Sequence, residues 1–418
     1  MAEEQLAFKD AKGYGKNTTG GRGGAILRVT NLNDSGPGSL RDACEVQTGP
    51  RTVIFDISGN IKLESKIIIR HGNISILGHS APGDGITIEG YSLVILCDEV
   101  IIRYIRVRVG YNLEITQDAI QINNAHNVII DHVSMSWSSD EIISVGESNN
   151  VTISNCMICE PLNYAGHGYG SLIRNIHPDI ESKVTITGCI YTSCFSRVPR
   201  VAGSILVDFV ENIIYNCTRT GYSCTDPDIM VNIANNYYKA GPSSGTLGFH
   251  AWRFSCENGG KLYIHNNFMH GLEYKSDNNM LMVTDAHLSN EIQNTAPYGN
   301  SNIDSRIDLE YVFLDVFDDC GCSYVRDKVD KRLLSEIIEN TGGVVSLSDP
   351  DEAAIESTVD VINIDDIPKK YSKSYFDAIE EFLEERNDEH RVKKASRKWK
   401  IRKTRFENFI YTFLKHLI

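Results

Sequence analysis

The sequence predicts an all-β protein built as a parallel β-solenoid. Short apolar runs rich in β-branched residues recur along the chain, and each begins after a polar turn residue. Three such runs, at 127–130, 150–153 and 183–186, look alike, and the first two begin 23 residues apart. A repeat of roughly 20–30 residues with short strands in each unit is typical of a solenoid or β-helix. Helical patterns of about 10–15 residues do not separate these strands, which argues against a doubly wound sheet.

Length, composition and charge narrow the class of protein. The chain has 418 residues, of which 41% are hydrophobic and 23% charged, as expected of a soluble globular protein. One long solenoid could absorb most of this length, although two or three ordinary domains would also fit. Because no run approaches the roughly 18 apolar residues of a membrane span, we expect no membrane partner. The formal net charge of −14 disfavours nucleic acid as a nonspecific partner.

The N-terminus and the cysteines bear on the compartment. The first residues lack a basic segment followed by an apolar one, so no signal peptide is visible. Either the chain is intracellular, or it is the mature form of a secreted protein with an added methionine. The 11 cysteines are an odd number, so at least one is unpaired or pairs between chains. Because Cys156, Cys189 and Cys217 occupy matching places in the apolar runs, we expect them to pack in the core.

The N-terminal part is expected to form turns that lead into the solenoid. Glycines cluster at 13–24, and the flanking strand and Lys-Ser or Lys-Thr of a phosphate-binding loop are missing. A short strand is predicted at 25–30, and residues 33–38 (NDSGPG) predict a turn. Residues 39–45 predict a brief helix with Ser39 as its N-cap. Such a helix would cover the open end of the solenoid.

From residue 51 to about residue 270 the strand pattern is regular. Strands are predicted at 52–57, 61–63, 66–69, 73–77, 85–88, 100–103, 127–130, 150–153, 183–186, 204–209, 212–215, 230–238 and 261–268. Asparagine recurs beside them, since Asn tolerates left-handed backbone at a corner and stacked Asn side chains hydrogen-bond between turns. Such short strands bury little each, so we expect the stability to come from the stacking of consecutive turns.

The C-terminal part changes from strand patterns to helix patterns. Helical spacing of apolar residues predicts a helix over 327–340, ended by the two glycines that follow, and a second, acidic helix over 375–386. Residues 391–405 hold nine Lys or Arg. Such a run is typical of a solvated helix face or tail, although it also occurs in segments that bind nucleic acid or an anionic surface. The predicted parts of the chain are a β-helix with an N-terminal cap at 1–316, a helical region at 317–345 and a charged tail at 346–418.

Several stretches carry a resemblance to a known family. In chain order they are 18–24 (TTGGRGG), 29–41 (VTNLNDSGPGSLR), 81–86 (APGDGI), 100–108, 118–120 (DAI), 127–141, 166–173, 197–201 (RVPRV) and 326–332. Their order and spacing together are specific, and they extend over residues 6–345. The chain resembles the pectate lyases of polysaccharide lyase family 1, in their bacterial-type branch.

The resemblance implies a fold and a reaction. The fold is a right-handed parallel β-helix, the pectin lyase-like solenoid, here with a small helical C-terminal appendage. The reaction is calcium-assisted β-elimination in polygalacturonate, the de-esterified homogalacturonan of pectin. Elimination removes the proton at C5, and a hard cation held by carboxylates acidifies that proton by neutralising the adjacent C6 carboxylate. Calcium would also bridge an acidic polymer to a protein of net charge −14, which we expect to be a secreted monomer.

The expected calcium ligands follow from the resemblance. Asp118 is the clearest ligand, and Asp140 and Glu141 are expected to supply the opposite side of the site. Thr116 and Ser144 occupy positions where members of the family carry further acidic ligands, so calcium is expected to bind weakly or to arrive with the substrate. The alternative for Asp118 and Asp140 is a structural role as turn carboxylates that cap backbone N–H groups.

Two arginines are the expected catalytic and substrate-binding cations. Arg197 matches the arginine that abstracts the C5 proton in the family. Because the pKa of an arginine exceeds about 12 in water, this role requires an acidified proton and a desolvated site among other cations. Arg200 is expected to hold a substrate carboxylate by bidentate hydrogen bonds. A further arginine of the family falls at Ala202 here, and the alternative for both arginines is a surface turn around Pro199.

Four other residues remain open or structural. His167 lies in a glycine-rich turn where related enzymes often place a substrate-binding lysine, and it either binds the sugar or is structural. Trp137 either stacks on a sugar or packs in the protein. Asp131 and His132 adjoin an apolar strand, and because no serine lies at nucleophile-elbow spacing we reject Ser-His-Asp chemistry for them.

Two other functions stay open from the sequence alone. A hydrolase, or another polyuronide lyase, on the same scaffold would place two carboxylates about the scissile bond, and Asp118 with Asp140 is the candidate pair. A non-catalytic carbohydrate-binding β-helix would have lost part of the site, as Thr116, Ser144 and Ala202 indicate. The retention of Arg197 with Arg200 speaks against that second possibility.

Overall fold

The structure is a computed structural model in which one long unit carries the candidate residues. It describes residues 5–110, 115–224, 228–244, 250–256, 259–286, 290–299, 301, 303, 307–360, 379 and 383. The basic run at 391–405 and most of the helix expected over 375–386 lie outside the described residues. The chain divides into two compact units, Met1–Ile362 and Asn363–Ile418.

The first unit is made of short strands, 29 of them among the described residues. Strands β1 to β10 are Ala25–Val29, Arg51–Phe55, Gly59–Lys62, Ile67–Ile69, Ile74–Leu77, Ile86–Glu89, Leu93–Ile95, Val100–Arg103, Arg106–Arg108 and Ile120–Asn123. Strands β11 to β20 are His126–Asp131, Ser134–Ser136, Glu141–Gly146, Asn149–Ser154, Met157–Cys159, Tyr169–Asn175, Lys183–Thr187, Ile190–Thr192, Arg200–Gly203 and Ile205–Val210. Strands β21 to β29 are Ile213–Tyr215, Gly221–Cys224, Ile229–Ala234, Tyr237–Lys239, Trp252–Ser255, Gly260–His265, Phe268–His270, Val283–Thr284 and Asn290–Gln293.

These strands form three parallel sheets. Sheet 1 has the order β1-β2-β5-β8-β11-β14-β17-β20-β23-β26-β29, sheet 2 the order β3-β6-β9-β12-β15-β18-β21-β24-β27, and sheet 3 the order β4-β7-β10-β13-β16-β19-β22-β25-β28. From β2 onward, consecutive strands go to sheets 1, 2 and 3 in turn, and their neighbours in adjacent turns pair in parallel. This arrangement is a parallel β-helix, which confirms the predicted fold.

The core runs along the inside of the solenoid. In sheet 1, Ile130, Ile153 and Ile186 lie opposite one another in successive turns, and each is fully buried. Cys156, Cys189 and Cys217 are free thiols that belong to the same core cluster, as predicted. Burial raises the pKa of the Cys156 thiol, so this side chain stays neutral and behaves as a small apolar group.

A ladder of buried asparagines stabilises the corner between sheet 1 and sheet 2. The amide of Asn212 donates to the side-chain oxygen of Asn236 at 3.0 Å, and Asn236 donates to Asn267 at 2.9 Å. At the same corner Asn235 and Asn266 have left-handed backbone, with φ of 59° and 50°. Both roles predicted for the recurring asparagines are confirmed.

The N-terminal segment forms turns and then a cap. A one-turn π-helix spans Asp42–Val46, and the hydroxyl of Ser39 accepts the Asp42 N–H at 3.1 Å. Its buried residues Ala43 and Cys44 belong to the core cluster, so the helical turn closes this end of the solenoid as predicted. The glycines of this segment lie against the first strands: a Cβ added at Gly21 would be 2.0 Å from the carbonyl oxygen of Arg51.

Four α-helices occur among the described residues: Glu273–Asp277 (α1), Leu309–Asp319 (α2), Lys328–Glu339 (α3) and Pro350–Ala353 (α4). Helix α3 is the predicted one, although it ends at a left-handed Asn340, with φ of 57°, before the glycines. Helix α2 was not predicted. Arg108 of β9 donates to Asp327 at 3.1 Å and to Asp330 at 2.7 Å, so a buried ion-pair network holds α3 against sheet 2.

The chain beyond α3 returns to the first turns of the solenoid. Asn60 donates to the carbonyl oxygen of Ala353 at 3.0 Å, and the Thr358 N–H donates to the hydroxyl of Ser58 at 2.9 Å. These contacts lie within the stretch that the sequence assigns to the charged tail. Across the part of the chain that the structure describes, no helix is both long and apolar enough to cross a membrane.

Candidate functional site

The candidate residues meet where the chain enters sheet 3. Asp118 lies just before β10, Asp140 just before β13 and Arg197 just before β19. Parallel register aligns these strand starts: Ile120 lies opposite Ile143, and Tyr169, at the start of β16, bridges to Ser196. Residues that are up to 79 positions apart in the sequence therefore form one patch.

Three carboxylates form the acidic part of the patch. One oxygen atom each from Asp118, Asp140 and Glu141 lies within 4.8 Å of the others. Asp118 also accepts the backbone N–H of Glu141 at 3.2 Å, while its second oxygen accepts a short hydrogen bond from the hydroxyl of Ser144. A cavity of about 270 Å³ opens over this cluster, and Lys66 also lines it.

Burial raises the pKa values of two of these carboxylates. Burial raises the pKa of Asp118 to about 7, the charge of Asp140 adds to this, and the hydrogen bond from Ser144 opposes it. Burial also raises the pKa of Asp140, against the attraction of Arg197 and His167. Two partly desolvated carboxylates this close are stabilised by a cation or by a proton.

The donor set fits a hard divalent cation. Calcium takes about six to eight oxygen ligands, and the three carboxylates would supply one or more each. Water or a substrate carboxylate would have to supply the rest. Ser144 already occupies one oxygen of Asp118, and Glu141 is paired with Arg197, so a cation would compete with both contacts.

Arg197 lies directly beside the acidic cluster. Its guanidinium forms a short ion pair with Glu141, and its Cζ atom lies 3.8 Å from the centre of the Tyr169 ring. The side chain is only 19% exposed, and its buried Nε has no hydrogen-bond partner among the described residues. The backbone of Arg197 is left-handed, with φ of 59°, a conformation that costs a non-glycine residue about 1–3 kcal/mol. The fold thus holds a largely desolvated guanidinium at the patch.

Arg200 and Ala202 lie on β19, which begins three residues after Arg197. Arg200 lies opposite Tyr222 of the next turn, and its Cζ atom is 5.7 Å from the centre of the Tyr222 ring. The side chain of Arg200 is partly exposed on the same face as the cavity-lining residue Leu172, its partner in the register. Ala202 is buried and contributes no cation, and its register partner is Arg174.

His167 lies at the rim of the acidic cluster. Its Nδ1 atom is 3.8 Å from an oxygen of Asp140, and its ring centre is 5.2 Å from that of Tyr169. The side chain is half exposed. His167 is thus within reach of a ligand in the cavity and also supports Asp140, so both of its expected roles stay open.

Trp137 lies inside the protein. It is 3% exposed, and its indole N–H donates to Glu160 at 3.2 Å, while Glu160 also accepts from Arg332 at 2.8 Å. An indole that is buried with its N–H paired offers no ring face to a sugar. Of the two expected roles, the observed contacts agree with packing, and we leave Trp137 out of the substrate surface.

Asp131 and His132 form a buried ion pair away from the cavity. Asp131 accepts from Arg103 at 3.0 Å and lies 2.6 Å from Nδ1 of His132, whose Nε2 is 3.2 Å from Asp319 of α2. Burial opposes the charge of Asp131, but His132 and Arg103 lower its pKa overall. These contacts agree with the structural role expected of the pair.

Sequence reasoning missed two cations that line the cavity. Lys66 precedes β4, and Arg174 lies on β16 opposite Gly146 of β13. Neither residue belongs to a motif. Alternation along β16 would have indicated that Arg174 faces outward beside Leu172, but only with the pairing of the sheet in hand.

Comparisons with known proteins agree with this geometry. No family model matches the chain. It is 33% identical over 338 residues to the probable pectate lyase C of Neosartorya fischeri, covering 79% of this chain and 77% of that protein. It is 36% identical over 349 residues to the probable pectate lyase C of Aspergillus terreus, with the same two coverages of 79% and 77%.

Solved structures share the fold at low sequence identity. A pectate lyase bound to a hexasaccharide has a TM-score of 0.56 and 14% identity, covering 78% of this chain and 100% of that one. A thermostable pectate lyase, PL 47, has a TM-score of 0.55 and 14% identity, with coverages of 76% and 98%. The expected bacterial-type branch stays a prediction. Identity above 30% to the curated relatives, over more than two thirds of their length, shows that the chain belongs to the pectate lyases, which are polysaccharide lyases.

Proposed function

We propose that the protein cleaves de-esterified homogalacturonan by β-elimination, with calcium as cofactor and Arg197 as base. The observation that supports this most is the contact of Arg197 with the carboxylate cluster of Asp118, Asp140 and Glu141. A candidate base therefore lies directly beside a candidate cation site. Bound there, calcium would act as a Lewis acid toward a uronate carboxylate.

The bond changes are those of an elimination. Arg197 accepts the C5 proton, and the electron pair of the C5–H bond becomes the C4–C5 double bond. The C4–O4 bond breaks, and the leaving oxygen takes a proton from water. The products are a 4,5-unsaturated oligogalacturonide and a shortened chain with a new end.

The contacts of Arg197 define what must change during turnover. The ion pair with Glu141 stabilises the protonated guanidinium, so this contact has to break and the guanidinium has to give a proton to water before Arg197 accepts the C5 proton. The hydroxide left when water protonates the leaving oxygen takes up that released proton. The ring of Tyr169 beneath the guanidinium keeps the side chain in place when the contact breaks. Arg200, the first residue of β19, would hold a neighbouring carboxylate of the polymer.

Ultraviolet absorbance of the unsaturated uronide tests the proposal. Purified protein with polygalacturonate and calcium should give a rising signal that a chelator stops. Arg197→Lys, which keeps the charge but not the planar guanidinium, should lose turnover and keep polymer binding. Near-normal turnover of this variant would remove Arg197 as the base, and a signal that persists in the chelator would remove the metal.

A glycoside hydrolase is the second candidate, and one observation favours it. A carboxyl group with a pKa of about 7, as at Asp118, suits a general acid, and Asp140 lies close enough to be its partner. New reducing ends without new absorbance would establish hydrolysis. Absence of both signals, with polymer binding retained, would establish a carbohydrate-binding protein.

We also propose that the protein is a secreted monomer, which fits an extracellular polymer as substrate.

A further inference from the structure

We propose that Arg174 is a substrate-binding residue of this site, which holds a uronate carboxylate and selects de-esterified polymer over its methyl ester. The inference rests on the proposed function, because it concerns the same cavity and the same class of substrate. Nothing in the sequence singled out Arg174, which lies between two motifs rather than within one.

The register gives Arg174 an unusual amount of space. It lies on β16 between Gly146 of β13 and Ala202 of β19, in a row of sheet 3 that begins with Asn123. Side chains in adjacent parallel strands are about 4.8 Å apart, so a long neighbour would normally cover part of the guanidinium. Here one neighbour has no side chain and the other has a methyl group.

The guanidinium also has spare hydrogen-bonding capacity. The Nε atom of Arg174 lies 3.5 Å from a carboxylate oxygen of Glu147, and no described residue accepts a hydrogen bond from the guanidinium. Arg174 is 46% exposed, whereas Glu147 is 8% exposed. A single contact from Nε occupies one of the five donors, so the other four remain available to a ligand.

Charge in the cavity indicates which ligand would use these donors. Arg174 and Lys66 line the same cavity as Asp118 and Asp140, and they belong to different turns of the solenoid: Lys66 precedes β4 and Arg174 lies on β16. A polyuronide lying across the turns would place carboxylates near the two cations, with the acidic cluster between them. A guanidinium forms paired, charge-assisted hydrogen bonds with a carboxylate. A methyl ester has no charge and loses this interaction, which gives Arg174 its selectivity.

Steady-state kinetics of Arg174→Ala and Arg174→Lys test the proposal. Arg174→Ala should raise KM for polygalacturonate about tenfold with kcat little changed, and should leave KM for highly methyl-esterified pectin unaltered. Arg174→Lys should have a KM for polygalacturonate between those of the wild type and Arg174→Ala, because lysine keeps the charge without the paired hydrogen bonds. Lys183→Ala is the matched control: it removes one cation from a surface ion pair with Glu181 on sheet 1 and should behave as wild type.

A wild-type KM for Arg174→Ala would overturn the assignment, as would equal losses on both substrates. Binding separates this outcome from failure of the proposed function. Calorimetric titration of Arg197→Lys, with and without Arg174→Ala, with trigalacturonate measures the contact without turnover. If the double variant binds trigalacturonate more weakly than Arg197→Lys does, the role of Arg174 stands. If the wild-type protein then shows no elimination, the lyase proposal alone fails. Elimination with unchanged binding would end the role of Arg174 alone.

Discussion

Calcium binding to the free protein should compete with one proton on Asp118. Burial and the charge of Asp140 raise the pKa of Asp118 to about 7, although Ser144, Lys66 and Arg197 favour its ionised form. The carboxyl group is therefore mostly protonated at about pH 6 and mostly ionised at about pH 8. Because calcium binds the ionised form, the calcium affinity should be about tenfold lower at about pH 6 than at about pH 8, a difference of about 1.4 kcal/mol in binding free energy.

Calorimetric titration with calcium chloride at about pH 6, 7 and 8 measures this competition. Repeating it in buffers of different ionisation enthalpy counts the protons released. Asp118→Asn should bind far more weakly and lose the pH dependence. Ser144→Ala removes the hydrogen bond that favours the ionised form, so its midpoint should move to higher pH. Equal affinity at the lowest and highest pH, or full affinity in Asp118→Asn, would refute the reasoning.

The same group gives stability a pH dependence of unusual sign. The folded protein holds the proton of Asp118 more tightly than the unfolded chain, whose pKa is near 3.8. The free energy of unfolding should therefore fall as pH rises from about 4 to about 7, as far as Asp118 determines it. Calcium stabilises the ionised form, so its addition should raise Tm more at about pH 8 than at about pH 6.

Three further predictions concern the scaffold. Burial opposes the charge of His132, but the charge of Asp131 outweighs this effect and raises the pKa of His132 to about 8. The free energy of unfolding, measured with urea, should therefore fall in His132→Gln by roughly 2 kcal/mol more at about pH 6 than at about pH 9. Asn236→Ala should cost about 3 kcal/mol in the same assay, because it leaves buried partners of the ladder unpaired, and a loss below 1 kcal/mol would contradict the ladder's role. Trp137→Phe should lower Tm by loss of the bond to Glu160 and leave KM unchanged, whereas a raised KM would return Trp137 to the substrate surface.

Much of the fold could be predicted from the sequence because each turn of a solenoid contacts only the turns next to it. Each strand needs only an apolar run and a corner, and asparagines mark the corners, so the β-helix followed from the repeat. Helix α3 followed from its apolar spacing. Helix α2 was missed because the strand rhythm fades before it and its apolar face is short, with Val312, Phe313 and Val316 buried.

The sequence by itself determined the repeat, the family resemblance and the positions of Asp118, Asp140 and Arg197. Only the tertiary structure decided which side chains share the cavity. Register partners lie 23 residues apart between β10 and β13 but 28 apart between β13 and β16 and again between β16 and β19, because loops of different length intervene. The sequence motifs do not indicate these separations between paired residues. The place of Arg174 beside Ala202, and the burial of Trp137, are consequences of pairing between turns, which the chain acquires only when it folds.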